Sequence, residues 1–253
     1  MKFDNDLVSI ITPTYKASDY VGETIQSVLD QDYQNWELII VDDYSSDGTL
    51  KVLEGWQERD ARIKVIPAAK NGGPAIARNL ALKTARGRWV AFLDSDDIWM
   101  AGKLSKQLVF HQTKGAIISF TSGRRFQGGV SNYGHLISVP KEIRYAELLG
   151  NTVIITSTVI VDRNKTGDFK MKKVYYDDFA CWLDLLRSGG LAVGLHDDLL
   201  RYRVLPGSVS RNKLRSAKEV WKTYREIEKL GLLASVKYFF SYAIYGTLKY
   251  KKL

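Results

Sequence analysis

An α/β fold, built on a mostly parallel central sheet flanked by helices, is what this sequence predicts, and three observations predict it. Short apolar runs alternate with amphipathic stretches of about a dozen residues, the pattern of strand-helix-strand units with right-handed crossovers. Polar residues cluster just after three of those runs, where such sheets place their ligands. The chain has 253 residues, 45% hydrophobic and 26% charged, enough to bury a sheet on both faces.

The first run, Leu7-Val-Ser-Ile-Ile-Thr12, reads as a buried strand closed by Pro13, which lacks the amide that a ladder needs. Thr14, Tyr15 and Lys16 fall in the loop beyond its carboxyl end. Ser18 or Asp19 is placed to cap a helix that turns Val21, Ile25, Val28 and Leu29 inward. A second strand, residues 36–41, ends in Asp42-Asp43, and Ser45-Ser-Asp-Gly-Thr49 opens a helix carrying Leu50, Val52, Leu53 and Trp56. Residues 62–66 make a short third strand. Asn71-Gly-Gly-Pro74 is a turn, with proline at the start of a helix over residues 75–85.

The fourth run, Trp89-Val-Ala-Phe-Leu93, follows Gly87 and fits a strand buried on both faces. Asp94, Asp96 and Asp97 come next. Three carboxylates at an apolar strand end repel one another, so a cation belongs there. Mg²⁺ or Mn²⁺ is the first candidate, because such ions prefer oxygen, take one or two protein carboxylates and complete their shell with water and phosphate. The plainer alternative is a surface turn with scattered acids, but it would need three independent coincidences at three strand ends.

Composition excludes several other classes. The single cysteine, Cys181, permits no internal disulfide and sits among Phe179, Ala180 and Trp182 as a small core residue. His111, His135 and His196 lack the paired spacing of a zinc site and read as structural or solvated. Residues 1–6 hold two acids, and residues 7–11 are too short an apolar run for a secretory signal, so a cytoplasmic protein is expected. Of the net charge of +9, a net +8 falls after Ser210, with eleven Lys or Arg against three Glu. A neutral body with a basic tail argues against nucleic acid as ligand and points to an anionic surface met by the tail.

Four motifs, in this order and at this spacing, resemble the family 2 glycosyltransferases of the GT-A fold. They are Pro13-Thr14-Tyr15, Val41-Asp42-Asp43-x-Ser45-Ser46-Asp47-Gly48-Thr49, Ala77-Arg78-Asn79 and Phe92-Leu93-Asp94-Ser95-Asp96-Asp97. The resemblance implies that Tyr15 lies against a nucleotide base, with the backbone of Pro13 and Thr14 close by. Asp43 would accept a hydrogen bond from the N3–H of uracil, which favours a UDP-sugar. Asp94 and Ser95 would stand on the donor side, Asp94 near the ribose and the metal shell, and Asp96 would ligate the metal. Arg78 either reaches the nucleotide or is an ion-paired or solvated helix arginine. Asp97 is expected to cap a helix after Ile98.

In the second half, residues 102–113 read as a helix and 116–120 as a strand, with residues 121–133 irregular. Residues 153–161 read as another strand; the family carries acceptor or sugar contacts near such hydroxyls, although Ser157 and Thr158 also read as plain strand residues. Phe179, Trp182, Leu183 and Leu186 form a buried helical stripe behind Asp177 and Asp178. Those two acids read as a helix cap, and they also resemble the family's Glu-Asp pair, which makes Asp178 the implied general base with Asp177 in place of the usual Glu. Residues 199–210 resemble the family's closing Tyr-Arg-x-His-x-x-Ser-x-Ser, with Tyr202, Arg203, Ser208 and Ser210 in place and Leu205 where His is common.

The expected organisation is a nucleotide-sugar-binding half (1–105), an acceptor-binding half (106–210) and a basic helical tail (211–253) broken near Gly231. In the tail, Lys237, Ser241, Tyr245, Lys249 and Lys252 form a polar stripe, opposed by Leu232, Val236, Phe239, Phe240, Ala243 and Ile244. Such a helix either lies on an anionic membrane or packs on the body. The function expected is a metal-dependent, inverting transfer from a nucleotide-sugar to a glycan or lipid-linked glycan, in the cytoplasm or at the inner face of the membrane. Two rivals remain: a haloacid dehalogenase-type phosphatase, from Asp94-x-Asp96-x-Ile98, and a non-catalytic nucleotide-sugar-binding module.

Overall fold

Residues 36–42 are apolar on both faces apart from Glu37 and Asp42, so this stretch has to lie inside a sheet covered on both sides, and every one of its residues is buried. In the computed structural model, which describes residues 3–129, 131–205 and 213–250, it is β2 (Trp36–Asp42), paired in parallel with β1 (Asp4–Thr14) and β3 (Ile63–Pro67). β4 (Gly87–Phe92) lies on the other side of β1. The connecting helices are α1 (Val21–Leu29), α2 (Thr49–Arg59) and α3 (Pro74–Thr84). The order β3-β2-β1-β4 reverses direction between β1 and β4, the switch point where open sheets bind ligands.

The sheet continues through β9 (Ile160–Asp162), β6 (Ile118–Phe126), β10 (Ala192–Arg203) and β5 (Ile98–Trp99). β7 (Tyr133–Ile137) and β8 (Glu142–Ile143) pair with β6 and β10, and the short α6 (Arg163–Thr166) follows β9. β9 is antiparallel to both of its neighbours, whereas β6 and β10 are parallel to each other, so the parallel character resumes beyond it. Alternate residues feed two cores. Ile11, Ile39, Val41 and Phe92 face α3, α5 (Tyr145–Leu149), α7 (Asp177–Leu186) and the tail. Ile10, Leu38, Ile40 and Trp89 face α1, α2 and α4 (Lys103–Lys114). Glycine at position 87 is a packing requirement, because a Cβ there would collide with the Leu7 carbonyl.

Several expectations are corrected. Pro13 does not close β1, which runs to Thr14; beyond Ile11 the strand keeps β2 on one side only, so the missing amide costs no bond on the β4 side. α1 has no side-chain cap, since the Ser18 hydroxyl instead donates to Asp47 at 3.1 Å. Ile98 is not followed by a helix: Ile98 and Trp99 pair with β10, and α4 starts at Lys103. Residues 121–126, expected to be irregular, extend β6 into a hairpin with β7. Of the strand expected over 153–161, only its end is extended, and Thr156–Thr158 is a 3₁₀ turn.

The tail breaks where expected, between α8 (Lys213–Lys222) with its following π-helical turn (Thr223–Ile227) and α9 (Leu232–Tyr250). α9 packs on the body through Tyr238, Phe239 and Tyr242, with Ser235 fully buried. Of the side expected to be apolar, only Phe239 joins that contact. The expected positions Ser208 and Ser210, and the side chains of Lys249 and Lys252, lie outside the described residues.

Candidate active site

The loops after β1 and β2 are tied directly to each other. The Asp43 amide donates to the Thr14 carbonyl at 2.8 Å, and the Lys16 amide to the Ser45 hydroxyl at 2.9 Å. Lys16 and Tyr44 hold positive φ values of 50° and 66°, a left-handed geometry uncommon for side-chain-bearing residues and found here at two adjacent strand ends. Tyr15 is 48% exposed, so its ring is open to a ligand. Asp43 is buried, and both its oxygens accept backbone amides, Gly72 and Gly73 at 2.8 Å each. Asp43 thus fixes the turn into α3, leaving each oxygen one further lone pair.

After β4 the carboxylates take separate roles. Asp94 is paired with Arg78 at 2.6 Å, and its amide donates to the Ser157 hydroxyl at 3.0 Å. Asp96 is half-buried; burial, then the neighbouring Asp94 charge, push its pKa up to about 6. Asp97 is no helix cap: it is fully buried, accepts the Arg203 amide at 2.9 Å, and is pushed well above the usual carboxylate range by burial and by Asp96 and Asp94. Its second oxygen has no hydrogen-bond partner among the described residues. Ser95 is half-buried, and its carbonyl accepts the Thr24 hydroxyl at 2.9 Å.

Arg78 is the buried centre of this region. One guanidinium nitrogen holds Asp94 and another holds Asp177 at 2.8 Å, across 99 residues of sequence. Burial opposes the charge, yet Asp94 and Asp177 override it and raise the pKa of Arg78. The structure shows Arg78 ion-paired at the site. A second bridge runs through the Thr156–Thr158 turn: Ser157 receives the Asp94 amide, and the Thr156 hydroxyl donates to Asp178 at 2.7 Å. Asp178 also accepts the Phe179 amide at 2.7 Å. Asp94, Asp96, Asp177 and Asp178 therefore belong to one site, although the two pairs lie some eighty residues apart in the chain.

Sequence reasoning did not single out Thr156, and it left Ser157 between a plain strand residue and an acceptor or sugar contact. It quoted Arg203 without a role. Arg203 holds the aspartate loop shut, with Nε donating to the Asp96 carbonyl at 2.8 Å and the guanidinium paired with Glu23 at 2.6 Å. A closed metal cage is not what the region offers, since no group of three or more His, Cys, Asp or Glu suited to a metal occurs among the described residues. The crowded, partly desolvated Asp96, with the second oxygen of Asp94, instead fits an ion held by one or two carboxylates and completed by substrate and water.

The model of the family described as "Glycosyl transferase family 2" matches residues 9–174, which span the loops after β1, β2 and β4 and end just before Asp177 and Asp178. The chain is a family 2 glycosyltransferase. This transferase is 43% identical over 238 residues, 94% of each chain, to the putative teichuronic acid biosynthesis glycosyltransferase TuaG of Bacillus subtilis. It is 38% identical over 250 residues to the Escherichia coli UDP-Glc:alpha-D-GlcNAc-diphosphoundecaprenol beta-1,3-glucosyltransferase WfgD, covering 98% of this chain and 96% of that one. Its GT-A fold matches S. aureus TarS 1–349 in complex with UDP-GlcNAc with a TM-score of 0.72 at 21% identity, over 93% of this chain and 71% of that one. Family membership removes both the phosphatase and the non-catalytic readings of the aspartate motif.

Proposed function

We propose that this transferase moves a sugar from a UDP-sugar to a hydroxyl of a glycan carried on a lipid diphosphate, inverting the anomeric carbon, in cell-envelope polysaccharide synthesis at the cytoplasmic face of the membrane. The observation that carries the proposal is the pair of bridges, Arg78 and the Thr156–Thr158 turn, each joining the aspartates after β4 to those opening α7. The names of the relatives supply the substrates: a UDP-sugar and a diphosphoundecaprenol acceptor for WfgD, and an envelope polymer for TuaG.

In this reading Tyr15 stacks on the uracil, Pro13 and Thr14 line its edge, and Asp43 accepts the N3–H through a remaining lone pair. Asp94 and Ser95 face the ribose and diphosphate. Asp96, with Asp94, would hold Mg²⁺ or Mn²⁺, which when bound supplies positive charge to the leaving diphosphate. Asp178 takes the proton of the attacking hydroxyl. Thr156 and the Phe179 amide each donate to one of its oxygens, which orients the carboxylate for that transfer. Asp177 balances Arg78 and so keeps that guanidinium from pairing with the base.

A thermal-shift screen of UDP, GDP, CDP and dTDP with Mn²⁺ tests the donor. UDP should raise the melting temperature most, and a clear preference for another nucleotide would overturn the assignment. Transfer from the matching UDP-sugars to a lipid-diphosphate GlcNAc acceptor tests the reaction.

A further inference from the structure

Among the described residues, six of the twelve large apolar side chains that are exposed lie on the single helix α9, too concentrated for ordinary surface scatter. Leu233, Val236, Phe240 and Ile244, at spacings of three, four and four, share one face. Leu233 is 87% exposed and Phe240 69%. The opposite face is already committed to the body, where Ser235 is fully buried, Tyr238 and Tyr242 pack on the core, and Phe239 meets Trp221 edge to face at 5.5 Å. The helix is thus held by one side and presents the other at a set angle. It is not a spanning segment, since no helix among the described residues is long and apolar enough to cross a membrane.

We infer that this outer face of α9 docks into the interface of an anionic lipid bilayer and holds the acceptor half of the enzyme against it. Charge selects the occupant. No Asp or Glu occurs after Glu228, while Lys229, Lys237, Lys249, Lys251 and Lys252 do. A second copy would set lysine against lysine, whereas anionic headgroups offer negative charge beside an apolar interior. The anchorage is on the acceptor side: Ser241 lies against Gly150, and the Tyr224 hydroxyl donates to the Leu149 carbonyl. Docking therefore acts on α5 and, through its packing, on α7, whose first turn carries Asp178, rather than on the nucleotide loops.

Cosedimentation of the full chain with phosphatidylglycerol-containing vesicles tests this without donor or acceptor, so its result is independent of the transfer reaction. Wild type should bind these vesicles and bind pure phosphatidylcholine vesicles more weakly. Leu233→Glu with Phe240→Glu, both at exposed positions, should weaken binding by about tenfold or more with an unchanged melting temperature. Equal binding of wild type and variant, or absence of wild-type binding at low salt, overturns the inference. So does a variant that converts a dimer to a monomer while vesicle binding stays the same, which would assign the face to a second copy.

Discussion

Asp178 keeps its carboxylate pinned at both oxygens by Thr156 and Phe179, a geometry that an amide imitates in shape but not in basicity. Asp178→Asn should lower turnover by about 10²–10⁴-fold with UDP affinity unchanged, read by sugar transfer and calorimetry; turnover within a few-fold of wild type would remove the base assignment. Lys103 shows the opposite economy. It is fully buried, burial pushes its pKa well below normal, and its Nζ has no hydrogen-bond partner among the described residues, only the Trp99 ring at 3.7 Å. Lys103→Met should raise stability by about 1–3 kcal/mol in urea melts, since a buried unpaired ammonium yields to an apolar chain of similar length. Asp43, Asp94, Asp96 and Asp178 were legible as candidate site residues because carboxylates at apolar strand ends or helix starts are conspicuous. Lys103 was not, and Arg203 was legible only as a motif position without a role, because what a basic side chain pairs with is unknown until its neighbours are in place.

His111 on α4 joins two elements. Its ring nitrogens lie 2.8 Å from the Ser119 hydroxyl of β6 and 3.0 Å from the Ala116 carbonyl, and its ring meets Trp89 of β4 edge-on at 5.0 Å. Burial lowers its pKa to about 4. Below the unfolded value of roughly 6.5 the unfolded chain binds a proton that the fold refuses, so this contribution to stability is whole above pH 6.5 and is lost as pH falls toward 4. The span corresponds to roughly 3 kcal/mol. Urea melts of wild type and His111→Gln at pH 7.5 and pH 5 should show a flatter pH dependence in the variant; parallel curves would refute the buried neutral imidazole. At this scale the first four strands and their helices were readable from period and punctuation alone. The Thr156–Thr158 turn was not, because Val153-Ile-Ile-Thr-Ser-Thr-Val-Ile-Val carries the same β-branched composition whether extended or turned. What bends it is its contacts: Asp94 and Trp99 on Ser157 and Asp178 on Thr156.

Across the molecule, Arg78 and the Thr156–Thr158 turn join the aspartates after β4 to those opening α7, so donor binding at those aspartates should register as global stability. Mn²⁺ with UDP at about a hundred times its dissociation constant should add about 2.7 kcal/mol, and chelation or Asp96→Ala should remove most of that gain in thermal melts; a gain that survives both would exclude the metal role. The sequence by itself determined the α/β class, the strand ends that hold the candidate site and the family, because backbone periodicity and short motifs are local properties. It also determined that the tail is basic and helical. Only the tertiary structure decided that Arg78 spans Asp94 and Asp177, that Asp97 is buried beneath the loop rather than capping a helix, and which side of α9 is covered. Each of those depends on contacts between residues tens of positions apart, and the free energy that selects among them, the desolvation of charge and the burial of apolar surface, is defined only once the neighbours are in place.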